Sequence, residues 1–449
     1  MSYTKSVIES VKKRYSNQPE FCQTVEEVLS SLEKCVDSHP EYEKNALLER
    51  IVEPERTFTF KVVWQSDDGR YHVNTGYRCQ FNGAIGPYKG GLRFQKNVNL
   101  SIIKFLGFEQ IFKNSLTGLP MGGAKGGSDF DPEGKSDAEI MRFCQSFMDA
   151  LYRYIGPDTD IPAGDMGVGS REIGYLFGEY RRLKGNFENG AFTGKDYSYG
   201  GSLIRPEATG YGAVYYLQNV LKDCGDDIKG KRIACSGFGN VTWGVCKKAA
   251  QLGAKVVTLS SVNGYVYDKD GVATDEKLQF ILDLRKKGSV DIEKYAEKFG
   301  AEYHPGEKPW SDKNIDIVMP SAVQNDVNLE SAKKIAANKI KYYIEVANMP
   351  TTNDALAYLR NTDGIIVAPS KAVNAGGVAT SGIEMSQNSE RLSWTAEEVD
   401  KHLHGIMNNI YNNSKDAAER YGLGYDLVAG ANIAGFERVA DAMIRQGIF

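Results

Sequence analysis

Apolar residues recur at helical spacing through the first fifty positions, among them Val25, Val28, Leu29, Leu32 and Val36, so the chain is expected to open with helices. Phe58 to Val63 and Tyr71 to Phe81 then alternate as half-buried strands do, and Asp67-Asp68-Gly69 supplies the turn between them. A glycine-dense region, Gly83 to Gly127, reads as loops interrupted by one apolar helical run, Ile102 to Leu116. The next predicted helix, Ser136 to Tyr154, carries its own start signal. Ser136 is followed three residues later by Glu139, and each side chain can cap the other's backbone N–H.

Near residue 200 the texture changes to strand, glycine turn, helix, strand. Arg232 to Cys235 is a short strand, Gly237 to Gly239 a turn, Val241 to Leu252 a helix and Lys255 to Leu259 the next strand. Further strands are expected at Ile315 to Met319, Tyr342 to Val346 and Ile365 to Ala368. Strands alternating with helices imply a parallel sheet covered by helices on both faces. The last stretch, Thr395 to Gln446, returns to long helices. The pattern divides the α/β chain at 1–200, 201–425 and 426–449: an N-terminal substrate and assembly domain, a Rossmann-type dinucleotide-binding domain, and a C-terminal helix expected to pack back on the first domain.

Composition narrows the function class. At 449 residues two domains are the natural reading, and a net charge of -4 offers no basic excess for a phosphate backbone, so nucleic-acid binding is not expected. No window is apolar enough to span a membrane, and Met1 to Lys13 lacks the apolar core of a signal peptide. The seven cysteines form no C-x-x-C pair and the five histidines no zinc pattern, so a metal-free protein with reduced thiols in the cytoplasm is expected.

Ser236-Gly237-Phe238-Gly239-Asn240-Val241 stands between a strand and a helix, the context a phosphate-binding turn requires. Gly237 permits the turn, Gly239 lets a pyrophosphate approach, and the helix N-terminus offers unpaired N–H donors. Thr242 stands where the third glycine of G-x-G-x-x-G would be. The second strand ends at Ser260-Ser261-Val262-Asn263, with no acid between Gly239 and Asp268 to bind a ribose 2′-hydroxyl. A neutral tip does not repel a 2′-phosphate, so the reading leans to NADP, with NAD close behind.

Charged residues stand out in the first domain. Lys89 and Lys125 are framed by glycines, in Gly86-Pro87-Tyr88-Lys89-Gly90-Gly91 and Met121-Gly122-Gly123-Ala124-Lys125-Gly126-Gly127, and Lys113 follows on the apolar helix. Isolated surface lysines need no explanation, but glycine-rich loops suit the close approach of a small ligand. Three ammonium groups converging on a dicarboxylate would hold both of its ends. They would also depress one another's pKa, making a lysine base near neutral pH. Asp165, in Pro162-Ala163-Gly164-Asp165-Met166-Gly167, is either a turn residue before a helix or the partner of such a base.

With these motifs assembled, the chain resembles the hexameric, small-subunit glutamate dehydrogenases of the Glu/Leu/Phe/Val dehydrogenase family, nearly end to end. The most specific stretches are Gly86 to Phe94, Leu119 to Pro132, Asp160 to Gly169, Arg205 to Gly212 and Ala368 to Gly377. The resemblance implies reversible conversion of L-glutamate to 2-oxoglutarate and ammonia with hydride transfer to NAD(P), in a homohexamer. It implies that Lys125 activates water and Asp165 shuttles protons. Lys89 and Ser381 would hold the side-chain carboxylate, and Lys113 and Gln110 the α-carboxylate, with Asn374 and the Ala163 carbonyl near the amino group. Thr209, the turn Gly237 to Val241 (with Phe238, Gly239 and Asn240), Asn348 and Asn374 would line the cofactor site, with Ser260, Ser261 and Asn263 at its far end. Thr242 departs from the alanine usual in the family's turn, and Phe238 resembles NAD-using members. Two other readings stand beside this one. A dehydrogenase of an apolar amino acid would lack Lys89, and a non-catalytic nucleotide-binding relative would have lost Lys125 or Asp165.

Overall fold

The computed structural model describes residues 2–286, 290–312 and 314–448. Helices α1 (Tyr3–Arg14), α2 (Pro19–Ser31), α3 (Glu33–Asp37), α4 (Pro40–Lys44) and α5 (Leu47–Val52) precede the hairpin β1 (Arg56–Gln65) and β2 (Tyr71–Asn82). There follow β3 (Tyr88–Phe94), α6 (Leu100–Leu116), β4 (Gly123–Ser128), α7 (Asp137–Leu151), β5 (Asp160–Gly164) and α8 (Ser170–Lys184). The cap at Ser136 forms as the sequence predicts: its Oγ accepts from the Glu139 N–H at 3.1 Å, and Glu139 accepts from the Ser136 N–H at 3.0 Å. The helix ends earlier than expected, at Leu151, and tightens into a 3-10 turn over Tyr152–Tyr154.

One expectation is corrected. The glycine-rich segments around Lys89 and Lys125 are not loops but β3 and β4, inside a sheet of order β1-β2-β4-β3-β5. The β1–β2 and β2–β4 pairs are antiparallel, the β4–β3 and β3–β5 pairs parallel. Glycine has no side chain to show a period of two, so the alternation is invisible in sequence. Gly90 is needed for contact, since a Cβ there would lie 1.6 Å from the Ala124 carbonyl oxygen.

The sheet is covered on both faces. Val62, Trp64, Leu92 and Phe94 meet Phe143 and Phe147 of α7 and Leu176 of α8. On the other face Cys79 and Phe81 meet Phe21 and Val25 of α2 and Phe108 and Phe112 of α6. A fully buried ion pair binds three strands together. The Arg78 guanidinium (β2) grips both oxygens of Asp160 (β5) and also donates to the Gly90 carbonyl (β3).

The second region runs through α9 (Ala208–Asp223), β6 (Arg232–Cys235), α10 (Asn240–Gln251), β7 (Lys255–Ser261), β8 (Gly264–Tyr267), α11 (Asp275–Lys286), α12 (Glu293–Phe299) and β9 (Glu302–Pro305). It continues with β10 (Ile317–Met319), α13 (Leu329–Ala337), β11 (Tyr342–Ile344), α14 (Asn353–Arg360), β12 (Ile366–Ala368) and α15 (Ser370–Val373). Three long helices close the chain: α16 (Gly376–Glu390), α17 (Ala396–Arg420) and α18 (Leu427–Gln446). The sheet order is β12-β11-β10-β6-β7-β8-β9. Its strands are parallel from β12 to β7, as the alternation with helices predicts. The all-parallel expectation fails at one edge, where β8 and β9 pair antiparallel. Residues 262–263 make the tight connection that forces this reversal. Ile233, Cys235 and Ile317 face one apolar core and Ala234 and Val318 the other, so the sheet is doubly wound. Helix α18 leaves this region and packs Phe436, Val439 and Met443 into the core shared by α2 and α6.

Replacing Asp160 with Ala strands a fully buried guanidinium. The expected loss is about 3–5 kcal/mol of stability, read as a lower denaturant midpoint; an unchanged midpoint would show that the pair does not hold the strands together.

Candidate active site between the two domains

The register of the first sheet collects the charged residues on one face. Lys89 and Arg93 are four apart on β3 and so point the same way. Arg93 pairs with Gly127, two residues beyond Lys125 on β4, which places Lys125 on that face too. Asp165 follows the end of β5, one residue past the Leu92–Gly164 pair, and so stands beside Arg93. Lys125 Nζ lies 2.7 Å from Asp165 Oδ2, and Arg93 Nε donates to the same oxygen at 3.1 Å. The sequence therefore paired lysine and aspartate rightly, while Arg93 went unnoticed. Its one sequence signal is its position four residues beyond Lys89.

Lys89 is 1 % exposed, and neither Lys89 nor Lys113 makes a hydrogen bond or ion pair through its ammonium group among the described residues. Burial lowers Lys89 to about 7, with Arg78 and Arg205 adding to the fall and Glu384 opposing it. Burial likewise lowers Lys113 to about 8, and Lys125 adds to that effect. Of the expected mutual depression of the three lysines, only the effect of Lys125 on Lys113 is present, whereas desolvation dominates and Lys89 answers to arginines. Lys125 is lowered by burial and by Arg93, against the pull of Asp165. Burial pushes Asp165 up, but Lys125 and Arg93 outweigh it and hold the carboxyl at about 2.

Asn114 ties these parts together: its amide donates to the Lys89 carbonyl at 2.9 Å and to the Gly122 carbonyl, joining α6 to β3 and to the approach to β4. Gln110, one turn earlier on α6, donates to Asn114 Oδ1 at 2.7 Å. Ala163 lies on β5 opposite Gly91, 7 % exposed.

The facing wall comes from α9 and α16. Ser381 is buried on α16 and donates to the Gly377 carbonyl at 3.2 Å. Glu384, one turn further, accepts from Lys195 Nζ at 2.7 Å and from the Gly194 N–H at 2.8 Å, which clamps the segment leading to Arg205. Arg205 is half-buried beside Gly377, and its Nε is buried without a partner among the described residues. An unpartnered guanidinium and two unpartnered ammonium groups around one cleft call for a ligand with more than one negative group. Arg205 was legible only as the start of a family-like stretch.

At the other end of the cleft Gly237 has φ +75°, a conformation that favours glycine, and a Cβ there would press on Ala322. Ser260 is buried rather than presented to a ligand: its Oγ accepts from the Gly237 N–H at 2.8 Å and braces the turn. Thr242, fully buried in place of a third glycine, donates to the Ser236 carbonyl at 2.9 Å. Space is open above Gly239, the N-cap of α10, and Asn240 and Val241 lie in that helix's first turn. Phe238 packs partly against the core. Asn263 and Ser261 sit at the β7–β8 tip, where Ser261 Oγ accepts from the Asn263 N–H at 3.1 Å. Asn374 is 4 % exposed and donates to Asn348 Oδ1 at 2.8 Å, while its own Oδ1 is buried without a partner. Thr209 lies against Gly377. The open turn, the helix N-terminus and the orphaned Asn374 oxygen fit a dinucleotide carrying an amide.

The chain matches two family models. Residues 54–182 match "Glu/Leu/Phe/Val dehydrogenase, dimerisation domain" and residues 200–447 match "Glutamate/Leucine/Phenylalanine/Valine dehydrogenase". It is 66 % identical to an NAD-specific glutamate dehydrogenase of Clostridium symbiosum, covering 99 % of both chains. It is 54 % identical to an NADP-specific glutamate dehydrogenase of Haemophilus influenzae, over 98 % of this chain and 97 % of that one. A solved glutamate dehydrogenase structure at 65 % identity superposes with a TM-score of 0.98, covering 99 % of each chain. The chain belongs to the Glu/Leu/Phe/Val dehydrogenase family.

Proposed function

We propose that this chain is a glutamate dehydrogenase that converts L-glutamate reversibly to 2-oxoglutarate and ammonia, using NAD or NADP. The observation that carries the substrate is Lys89, a buried ammonium without a partner among the described residues and with Arg205 among the charges that act on it. A side-chain carboxylate satisfies both cations, whereas an apolar side chain would leave both without an anionic partner. Ser381 adds a hydroxyl to that end of the pocket. Lys113, with Gln110 beside it, holds the α-carboxylate, and Asn374 and the Ala163 carbonyl lie toward the amino group.

When bound, the nicotinamide accepts the hydride from the substrate Cα. The protein supplies orientation, a dry cleft and proton transfer. The substrate amine must lose a proton before hydride can leave. Asp165, a carboxylate at working pH, takes that proton and returns it to the nitrogen that later leaves, while Lys125, the group whose lowered pKa makes it a base, stays neutral. Neutral Lys125 then takes a proton from the water that attacks the iminium. Its ammonium form stabilises the oxygen of the carbinolamine as ammonia departs. The Gly237–Val241 turn holds the pyrophosphate and Asn374, Asn348 and Thr209 flank the nicotinamide end. The Ser261-Val262-Asn263 tip carries neither a carboxylate to repel a 2′-phosphate nor a cation to bind one. Assembly as a homohexamer and a place in the cytoplasm belong to the same reading, and the match of residues 54–182 to a dimerisation domain supports self-association.

Initial rates with L-glutamate, in NAD and in NADP at matched concentration with L-leucine as control, test the substrate and measure the cofactor ratio. Activity with leucine alone would overturn the role of Lys89. Lys125→Ala is expected to lower kcat by at least about 10³-fold while dinucleotide binding, followed by fluorescence titration, stays within about twofold; near-normal turnover would remove Lys125 from the chemistry. Because Lys89 and Lys113 are lowered to about 7 and about 8, both lose charge as pH rises. The KM for glutamate should therefore climb above about pH 8, since a bound carboxylate delays the loss, while the KM for the dinucleotide stays level. A KM for glutamate flat to pH 10 would mean that neither lysine binds a carboxylate.

A further inference from the structure

Arg93 is the cation of this site that the reaction does not directly use. It is 15 % exposed and touches Asp165 through the same oxygen, Oδ2, that receives Lys125. The sharing follows from the strand register. The Leu92–Gly164 and Arg93–Gly127 pairs bring β3 alongside both the turn carrying Asp165 and the strand carrying Lys125. A carboxylate with one cation would favour the charged form of that cation and so oppose its use as a base. A carboxylate held by two cations, one of them permanently charged, opposes it less.

We propose that Arg93 is a positioning residue for the Lys125–Asp165 pair: it holds Asp165 in place as a carboxylate while Lys125 gives up its proton, and so sets the pH at which the Lys125 amine becomes a base. This rests on the reading of Lys125 as the base. The charges facing Lys125 are Asp165 from the turn after β5, Arg93 from β3, Arg78 from β2, and Glu109 and Lys113 from α6. Arg93 is the one among them that shares an Asp165 oxygen with Lys125, so removing Arg93 leaves Lys125 as the only cation on that oxygen. The expected direction is upward. Lys125 stays protonated to higher pH, and the acidic limb of the rate profile moves with it. The substrate carboxylates contact other residues, so kcat should fall more than the KM for glutamate changes.

The test uses Arg93→Gln and Arg93→Lys in the full-length enzyme, with Arg93→Met as the substitute if the glutamine variant does not fold by circular dichroism. Two readouts are taken. The first is the pH dependence of kcat/KM for glutamate. The second is independent of turnover: the pH dependence of Lys125 acylation by acetic anhydride, read by peptide mass spectrometry. Arg93→Gln or Arg93→Met is expected to move both midpoints up by about one pH unit and to lower kcat/KM near neutral pH about tenfold. Arg93→Lys, which keeps a cation, should return both midpoints to within about 0.3 unit of the wild type. Midpoints unmoved in the neutral variants, or moved as far in the lysine variant, would overturn the proposal. If acylation shifts but the wild type does not oxidise glutamate, the role of Arg93 stands and the assigned reaction falls. If the wild type oxidises glutamate and neither midpoint shifts, the reverse holds.

Discussion

The constraint on which this structure turns is the burial of positive charge. Lys89, Lys113, Lys125 and Arg205 are brought into one cleft, and of the four only Lys125 is closely paired with a carboxylate. Desolvating a cation without a partner is costly, and the group tends to lose its proton unless the scaffold prevents relaxation. Here relaxation is prevented from several sides. Lys89 and Lys125 are on adjacent strands buried between two apolar cores, Asn114 ties the Lys89 backbone to α6, and Arg78 with Asp160 pins three strands from within. In the proposed reading a dicarboxylate relieves that cost on binding, so selectivity and strain have the same origin.

The dinucleotide end obeys a different rule. It needs backbone donors in open space rather than desolvated charge. The turn after β6 is shaped by Gly237 and braced by Ser260 from β7, which spends its hydroxyl on the protein. Thr242 shows how the third glycine becomes dispensable: its hydroxyl is satisfied by the Ser236 carbonyl, so a β-branched residue fits the interior. The two ends meet where α16 and α9 face the first sheet, and the chain crosses between the two regions again when α18 returns to α6. Movement of one region against the other would bring these two kinds of site together and exclude water.

Much of this was legible locally. The β1–β2 hairpin, the capping box of α7, the strand-turn-helix at Gly237 and the lysines framed by glycines each depend on residues within a few positions of one another. The glycine-framed strands were not legible as strands, because glycine carries no hydropathy signal. Nor was the antiparallel edge of the second sheet, which depends on how β9 adds to β8 some 35 residues later.

The sequence by itself determined the helices, the strands outside the glycine-rich segments and the dinucleotide turn, because capping, periodicity and turn chemistry act over short spans. Only the tertiary structure decided which charges share a partner. Arg93 on β3, Lys125 on β4 and Asp165 just past β5 lie up to 72 positions apart and meet through register. The sequence led to an expectation that the lysines would lower one another's pKa, but burial decided the larger part of the fall at Lys89 and Lys113, since desolvation belongs to the packed cleft and to no residue within it.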